Sequence, residues 1–281
     1  PTEYVRQYID HLAERAEKVR DGMVEPYEDN MLKITTEGKA VAIDPRIIDP
    51  DAPVDRQYKI YRCCEKVLEY YRRFKEQKAL QVVFLDFGIS LYDIMKQELV
   101  LQGIPENEIA FIHDAKSDGQ KAELFSKCRS GKIRVLFGST PKMGAGTNIQ
   151  DRLIALHHLD CPWNPEQIEQ RLGRMQRQGN RFDVVYDFRY ITENTFDAYL
   201  WQTQEAKMKF ITQIMTNCST ARSCEDLSPS VLTCAEIKTL ATGDPRIKQK
   251  MELDNDVAML QIEKAAFQRE QSMLEKLVKE L

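Results

Sequence analysis

No apolar run in the sequence approaches the roughly 20 residues that a membrane-crossing helix needs. The first residues, Pro1-Thr2-Glu3-Tyr4, show no basic segment followed by an apolar stretch of the signal-peptide kind. A membrane protein and a secreted one are both disfavoured, and a cytoplasmic setting is expected. Metal-type cysteine pairs are missing too. The seven cysteines are irregularly spread, none falls in a Cys-x-x-Cys pair, and the four histidines do not flank them. Reduced thiols are expected, with neither a disulfide framework nor a zinc site. There is no excess of basic charge, since the net charge is −4. That argues against a protein that coats nucleic acid by charge alone, and leaves room for a local surface that grips a few phosphates.

The phosphate-cradling pattern Gly-x-x-x-x-Gly-Lys-Ser/Thr is also absent. The nearest Gly-Lys pairs, Gly38-Lys39 and Gly131-Lys132, have the wrong neighbours. The run Val82-Val83-Phe84-Leu85-Asp86 has the form of a magnesium-binding strand, four apolar residues and an acid, but no phosphate loop precedes it. The chain has no initiator Met, and Leu281 falls inside a helical pattern. Both ends read as cut, so a piece of a longer protein is expected.

What is present reads as a soluble globular chain, 42% hydrophobic and 30% charged over 281 residues. Three regions separate. Residues 1–79 are expected to form a helical and hairpin extension. A helix carries Val5, Ile9, Leu12, Ala16 and Val19. A hairpin pairs Leu32 and Ile34 with Val41 and Ile43 around a Glu37-Gly38 turn, and a helix spans about 58–78. Residues 80–205 form an α/β lobe. Its apolar runs 81–87, 109–113, 133–137, 153–159 and 184–188 are nearly continuous, as strands buried on both faces of a parallel sheet are, and helical patterns lie between most of them. Residues 206–281 form a helical extension that follows a helix over 195–215. A polar loop around Cys218–Pro229 leads there to a heptad-like series, Leu253, Val257, Leu260, Phe267, Leu274, Val278 and Leu281. That series reads as a long amphipathic helix packed on its own protein, with a coiled coil as the alternative.

Two segments carry chemistry. In 165–179, Asn164 is placed to cap a helix and Pro165 to open it. At 3.6 residues per turn, Ile168, Leu172 and Met175 share one face. Gln170, Arg174 and Arg177 share the other, with Gly173 keeping the surface beside them low. Two guanidiniums on one face suit a phosphate, because each offers a planar fork of donors. A solvated, salt-bridged face is the plain alternative. Arg171 lies off the Gln170–Arg174–Arg177 face, so its loss is expected to matter less. Upstream, a buried strand runs into Gly138-Ser139-Thr140-Pro141-Lys142-Met143-Gly144-Ala145-Gly146-Thr147-Asn148. Strand-end hydroxyls and glycines of this kind let a phosphate approach the backbone. His113 reads as a satisfied strand-end histidine.

Gln170-x-x-Gly173-Arg174-x-x-Arg177 resembles motif VI of superfamily-two helicases, the form found in DEAD-box and Swi/Snf-like motors. The glycine-rich segment resembles motif V, and 81–88 and 111–125 resemble motif IV and the strand and helix after it. The resemblance implies a RecA-like parallel sheet flanked by helices. It makes Arg174 and Arg177 arginine fingers that reach the γ-phosphate of ATP and offset charge in the transition state. Gln170, Gly173, Gly144, Gly146 and Asn148 fall on the nucleotide side, and Ser139, Thr140 and Lys142 near the nucleic-acid backbone.

Asp160-Cys161-Pro162-Trp163-Asn164-Pro165 is similar to the Asp-x-x-Trp-Asn-Pro lead-in of Swi/Snf-like ATPases. The stretch 109–179, with 190–201 and 236–243, resembles the large phage and mobile-element proteins that fuse such a helicase to an adenine DNA methylase. Gly173 stands where chromatin remodellers tend to have Asp, and Lys142-Met143 replaces small residues. No methylase motif occurs. The implied partners are DNA, double-stranded ahead of single-stranded or RNA, a first RecA-like lobe of the same parent chain, and a methylase domain in that parent. ATP and magnesium would be held mainly by the missing first lobe. A non-catalytic RecA-like nucleic-acid-binding or assembly module is the competing reading.

Overall fold

The computed structural model describes residues 1–143, 148–173 and 178–215, together with Ile237, Thr239, Ala241, Arg246, Leu253, Leu260, Lys264 and Phe267. Five parallel strands form its centre: β1 (Leu80–Phe84), β2 (Ile109–Phe111), β3 (Val135–Gly138), β4 (Leu153–His158) and β5 (Tyr186–Arg189). Their order is β2-β3-β1-β4-β5. Parallel neighbours need crossovers. Helix α4 (Leu91–Leu101) joins β1 to β2, α5 (Asp118–Arg129) joins β2 to β3, and α6 (Pro165–Leu172) lies between β4 and β5. The expected RecA-like α/β sheet is therefore observed. Strands are shorter than the apolar runs implied, because Ile112–Asp114 turns as a 3-10 helix and residues 85–87 leave the ladder.

Side chains alternate between the two faces of the sheet, as strand geometry requires. Val83, Leu85, Val135 and Phe137 face one way, against Leu91, Met95 and Leu99 of α4 and Ile60, Cys64 and Val67 of α3 (Lys59–Arg73). Leu80, Val82, Phe84, Leu136 and Leu156 face the other way, against Phe125 and Cys128 of α5. Val5 and Ile9 of α1 (Glu3–Arg20) join the first core, so the N-terminal segment is packed into the lobe. Cys63, Cys64, Cys128 and Cys161 are buried and unpaired by disulfides. No described helix is long and apolar enough to cross a membrane.

The hairpin expected around Glu37-Gly38 is instead helix α2 (Met31–Ile43). Asn30 starts it, its side chain accepting from Lys33 N at 2.9 Å. The hydroxyls of Thr35 and Thr36 donate back to the carbonyls of Met31 and Leu32. Ile34, Gly38 and Val41 then fall on one face by helical spacing. Gly38 is there for a close approach, because a Cβ would come within 2.6 Å of the Phe196 ring. Arg15 of α1 pairs with Asp29 and Glu37 and fixes the α1–α2 pair. Helix α3 ends at Arg73, five residues before its expected end.

Helix α7 (Phe196–Met215) follows β5, and Ile237 returns to pack with Leu12, Ile34 and Phe196. The polar stretch 218–229 and most of the heptad-like series lie outside the described residues. Three described positions of that series, Leu253, Leu260 and Phe267, are helical and over 60% exposed.

Candidate nucleotide and nucleic-acid site

The central neighbours β1 and β4 continue in opposite directions along the sheet, β1 toward β2 and β4 toward β5. Beyond their carboxyl ends lies the crevice where open α/β sheets bind ligands. The motif-like segments converge there. Asp86 follows β1, Ser139 and Thr140 follow β3, Asp160 follows β4, and α6 starts at Pro165.

One side chain ties them together, and it is the one expected to matter least. Arg171 is 1% exposed. A guanidinium has five N–H donors, and here five acceptors meet them. Nε donates to Thr140 Oγ1 at 2.8 Å. Nη1 donates to His158 Nδ1 at 3.1 Å and to the Asp160 carbonyl at 3.3 Å. Nη2 donates to Asp86 Oδ2 at 2.9 Å and to Asp160 Oδ1 at 3.0 Å. The guanidinium also lies over the Phe84 ring, 4.8 Å from its centroid. A sequence signal existed. Arg171 follows Ile168 by three residues and adjoins Leu172, inside the apolar stripe of α6.

The network continues on both sides. Thr140 donates its hydroxyl to Asp86 Oδ2 at 2.7 Å, and Thr140 N donates to Asp86 Oδ1. Asp160 Oδ2 accepts from the backbone N–H of Phe87 at 2.9 Å and from that of Asp86. Because Arg171 donates to His158 Nδ1, the imidazole proton sits on Nε2. Nε2 lies 2.8 Å from Asp187 Oδ1, a contact close in distance but bent away from a straight hydrogen bond. Burial, aided by the Arg171 charge, keeps His158 in its neutral form with its pKa below the ordinary value, although Asp187 opposes the shift. His157 is fully buried as well. Burial, with His158 beside it, lowers its pKa from 6.5 to about 3. It bonds Tyr190 Oη and Gln81 Oε1.

The remaining candidates divide by exposure. Ser139 and Thr140 are each 6% exposed, whereas Pro141 and Lys142 face outward. The Thr140 hydroxyl proton is committed inward, to Asp86. Ser139 Oγ lies 3.4 Å from His113 Nε2. Buried His113 Nδ1 has no partner, so this histidine is only half satisfied. Burial, aided by the Lys142 charge, lowers its pKa. Gln170 is exposed and donates to Glu166 of its own helix. Gly173 has helical φ and ψ of −60° and −12°, and a Cβ there would meet only carbonyl oxygens of α6. Asn148 is exposed, and its carbonyl accepts from Arg129. Asn164 holds the N-cap position, as expected, without a side-chain capping bond. Gly144, Gly146, Arg174 and Arg177 lie outside the described residues.

Lys39, which the sequence did not single out, reaches from α2 over the Trp163 ring with Nζ 3.8 Å from its centroid. Burial lowers its pKa, against the pull of Asp160 and Asp197 nearby. Among the described residues, no three His, Cys, Asp or Glu side chains gather as a metal set.

Residues 62–179 match the family model of the helicase conserved C-terminal domain. This central stretch of the chain is similar to the C-terminal lobe of helicases. The match begins within α3 and ends at Gly179, so it takes in the whole crevice. One curated relative is the uncharacterized ATP-dependent helicase YqhH of Bacillus subtilis (strain 168). It is 32% identical over 153 residues, which are 50% of this chain and 26% of that protein. Another is the defense against restriction protein B of Escherichia phage P1, 34% identical over 74 residues, 26% of this chain and 3% of that protein. The chain thus spans about a quarter or less of the curated relatives it matches. A solved structure of the C-terminal part of the Fun30 ATPase domain has the same fold, with a TM-score of 0.56 at 13% identity over 88% of this chain and 93% of that one.

Proposed function

We propose that this chain is the second motor lobe of an ATP-driven DNA translocase or helicase, working with a first lobe elsewhere in the same parent protein. The match of residues 62–179 to the helicase C-terminal domain carries this reading, because it includes the helix that leads to Arg174 and Arg177. The ATP-dependent relative supports the use of ATP. The first lobe holds ATP and its magnesium, since the phosphate loop and the acidic box are not in this sequence. When bound there, ATP supplies the γ-phosphoryl group whose transfer to water drives movement.

This chain's part is electrostatic. Arg174 and Arg177, which follow α6 in the sequence, serve as the arginines that stabilise the charge developing on the γ-phosphate oxygens. Gln170 and the low surface at Gly173 accompany them, and Gly144, Gly146 and Asn148 connect the loop after β3 to the nucleotide side. Lys142, exposed and cationic beside Ser139, contacts the phosphate backbone and not base edges, which suits a motor that passes over any sequence. The Asp-x-x-Trp-Asn-Pro lead-in favours DNA over RNA. The phage relative is compatible with a mobile-element parent that also carries a methylase.

The test is ATP turnover by the purified parent with double-stranded DNA, single-stranded DNA and RNA, beside the isolated chain. The reading requires DNA-stimulated turnover by the parent and none by the chain. A chain that hydrolyses ATP alone contradicts it, as does a parent without a phosphate loop.

A further inference from the structure

Segments that follow β1, β3 and β4 meet at the carboxyl edge of this sheet. In this chain they are joined by a single buried side chain. Arg171 is the penultimate residue of α6, three positions before Arg174 in the sequence. Thr140 is the second residue beyond β3, two positions before the exposed Lys142. The Thr140 hydroxyl accepts from Arg171 Nε and donates to Asp86 Oδ2, and Asp86 in turn accepts from Arg171 Nη2. Three residues from three segments therefore close a ring of hydrogen bonds around one hydroxyl. Asp160 fastens the same guanidinium to the end of β4 and, through its other oxygen, to the backbone after β1. With Thr140 only 6% exposed, its hydroxyl has one proton and that proton is already given to Asp86.

We propose that Arg171 is a positioning residue that latches Thr140, and with it the segment of Lys142, to the end of α6, just ahead of Arg174 in the sequence. The Thr140 hydroxyl acts as the latch and not as a phosphate contact. A shift of the loop by nucleic acid is thereby passed to α6, because a ring in which every donor and acceptor is used resists partial displacement. Lysine cannot replace Arg171, since its three donors cannot fill five positions fixed by a planar fork. This inference rests on the motor reading above.

The test uses the parent protein with both lobes and compares Thr140→Val, Thr140→Ser, Arg171→Lys and the Thr140→Val/Arg171→Lys double variant. Turnover at saturating ATP and duplex DNA is measured per folded molecule, together with the DNA concentration at half stimulation. Thr140→Val, which keeps the shape and removes the hydroxyl, should lower stimulated kcat at least about tenfold, as misplacement of a catalytic group does. The half-stimulating DNA concentration should stay nearly unchanged. Thr140→Ser should restore kcat. The double variant should be no worse than the more severe single one, because both break the same ring.

A Thr140→Val variant with normal kcat per folded molecule overturns the latch. So does one whose only defect is weaker DNA binding, which restores the phosphate contact. Should Arg171→Lys fail to fold, the Thr140 pair decides alone. A wild-type parent whose turnover no nucleic acid stimulates defeats the motor reading itself, and this inference with it.

Discussion

Among the described residues two arginines are buried, one at each end of the sheet, and different chemistry holds each. Arg134, 3% exposed, sits at the amino end just before β3. It donates to the carbonyls of Tyr71, Phe74 and Ala79 and stacks 3.7 Å from the centroid of the Tyr71 ring. Its carboxylate neighbour, Glu108, is 3.9 Å away. Arg171, at the carboxyl end, is met by two carboxylates, a hydroxyl and an imidazole. Main-chain carbonyls are offered by any sequence, so Arg134 fastens the end of α3 to the sheet whatever side chains stand there. The partners of Arg171 depend on residue identity, and each comes from a segment that reaches the crevice. The amino end is therefore held together, while the carboxyl end is also held in register for chemistry.

The contrast orders the expected effects. Arg171→Met strands the buried carboxylate of Asp160 and the partly exposed one of Asp86 without their cation, and should cost the chain on the order of 3–5 kcal/mol. Urea unfolding followed by circular dichroism measures it. A loss no larger than that of Arg134→Met would remove the distinction between the two ends. Arg134→Met leaves neutral carbonyls without a donor, and about 1–3 kcal/mol is expected in the same assay.

The third test uses pH. The folded pKa of His157, about 3, lies below its ordinary 6.5 because burial disfavours the imidazolium. Between these values the unfolded state binds more protons. The contribution of His157 is therefore complete above about 6.5 and lost as pH falls, by up to about 1.4 kcal/mol per pH unit. Buried His158 adds in the same direction. His157→Gln should flatten the profile between pH 7 and 5, and an unchanged slope would mean that the imidazole is not held neutral. The smallest effect is expected at the exposed carboxyl-end loop. Lys142→Ala should leave stability unchanged within about 0.5 kcal/mol. In DNA titrations of the parent across salt concentrations it should lower the salt slope by about one, equally for all sequences. An unchanged slope would make Lys142 a bystander.

The sheet was legible because strands buried on both faces leave continuous apolar runs, and 81–87 and 153–159 do so without ambiguity. The helix at Pro165 was legible from its period. What escaped was decided by tertiary packing. Residues 31–43 have β-branched residues and a central glycine, which read as a hairpin until Phe196, far along the chain, fills the space over Gly38. The buried network of Arg171 was not legible, because helical geometry only put it off the phosphate-facing side, and it is the fold that brings Asp86, Thr140, His158 and Asp160 to meet it. A charged residue within an apolar stripe is the signal, and it should be read as a buried hub when acids end the neighbouring strands.

The central claim is that this lobe supplies arginine charge to an ATP held elsewhere. The most direct measurement is kcat and KM for ATP in the parent protein, wild type against Arg174→Ala and Arg177→Ala, at saturating duplex DNA. The account predicts a fall in kcat of about a thousandfold or more with a much smaller change in nucleotide affinity, because the arginines act on transition-state charge. Near-normal kcat in both variants would contradict it and return the two arginines to a solvated helix face.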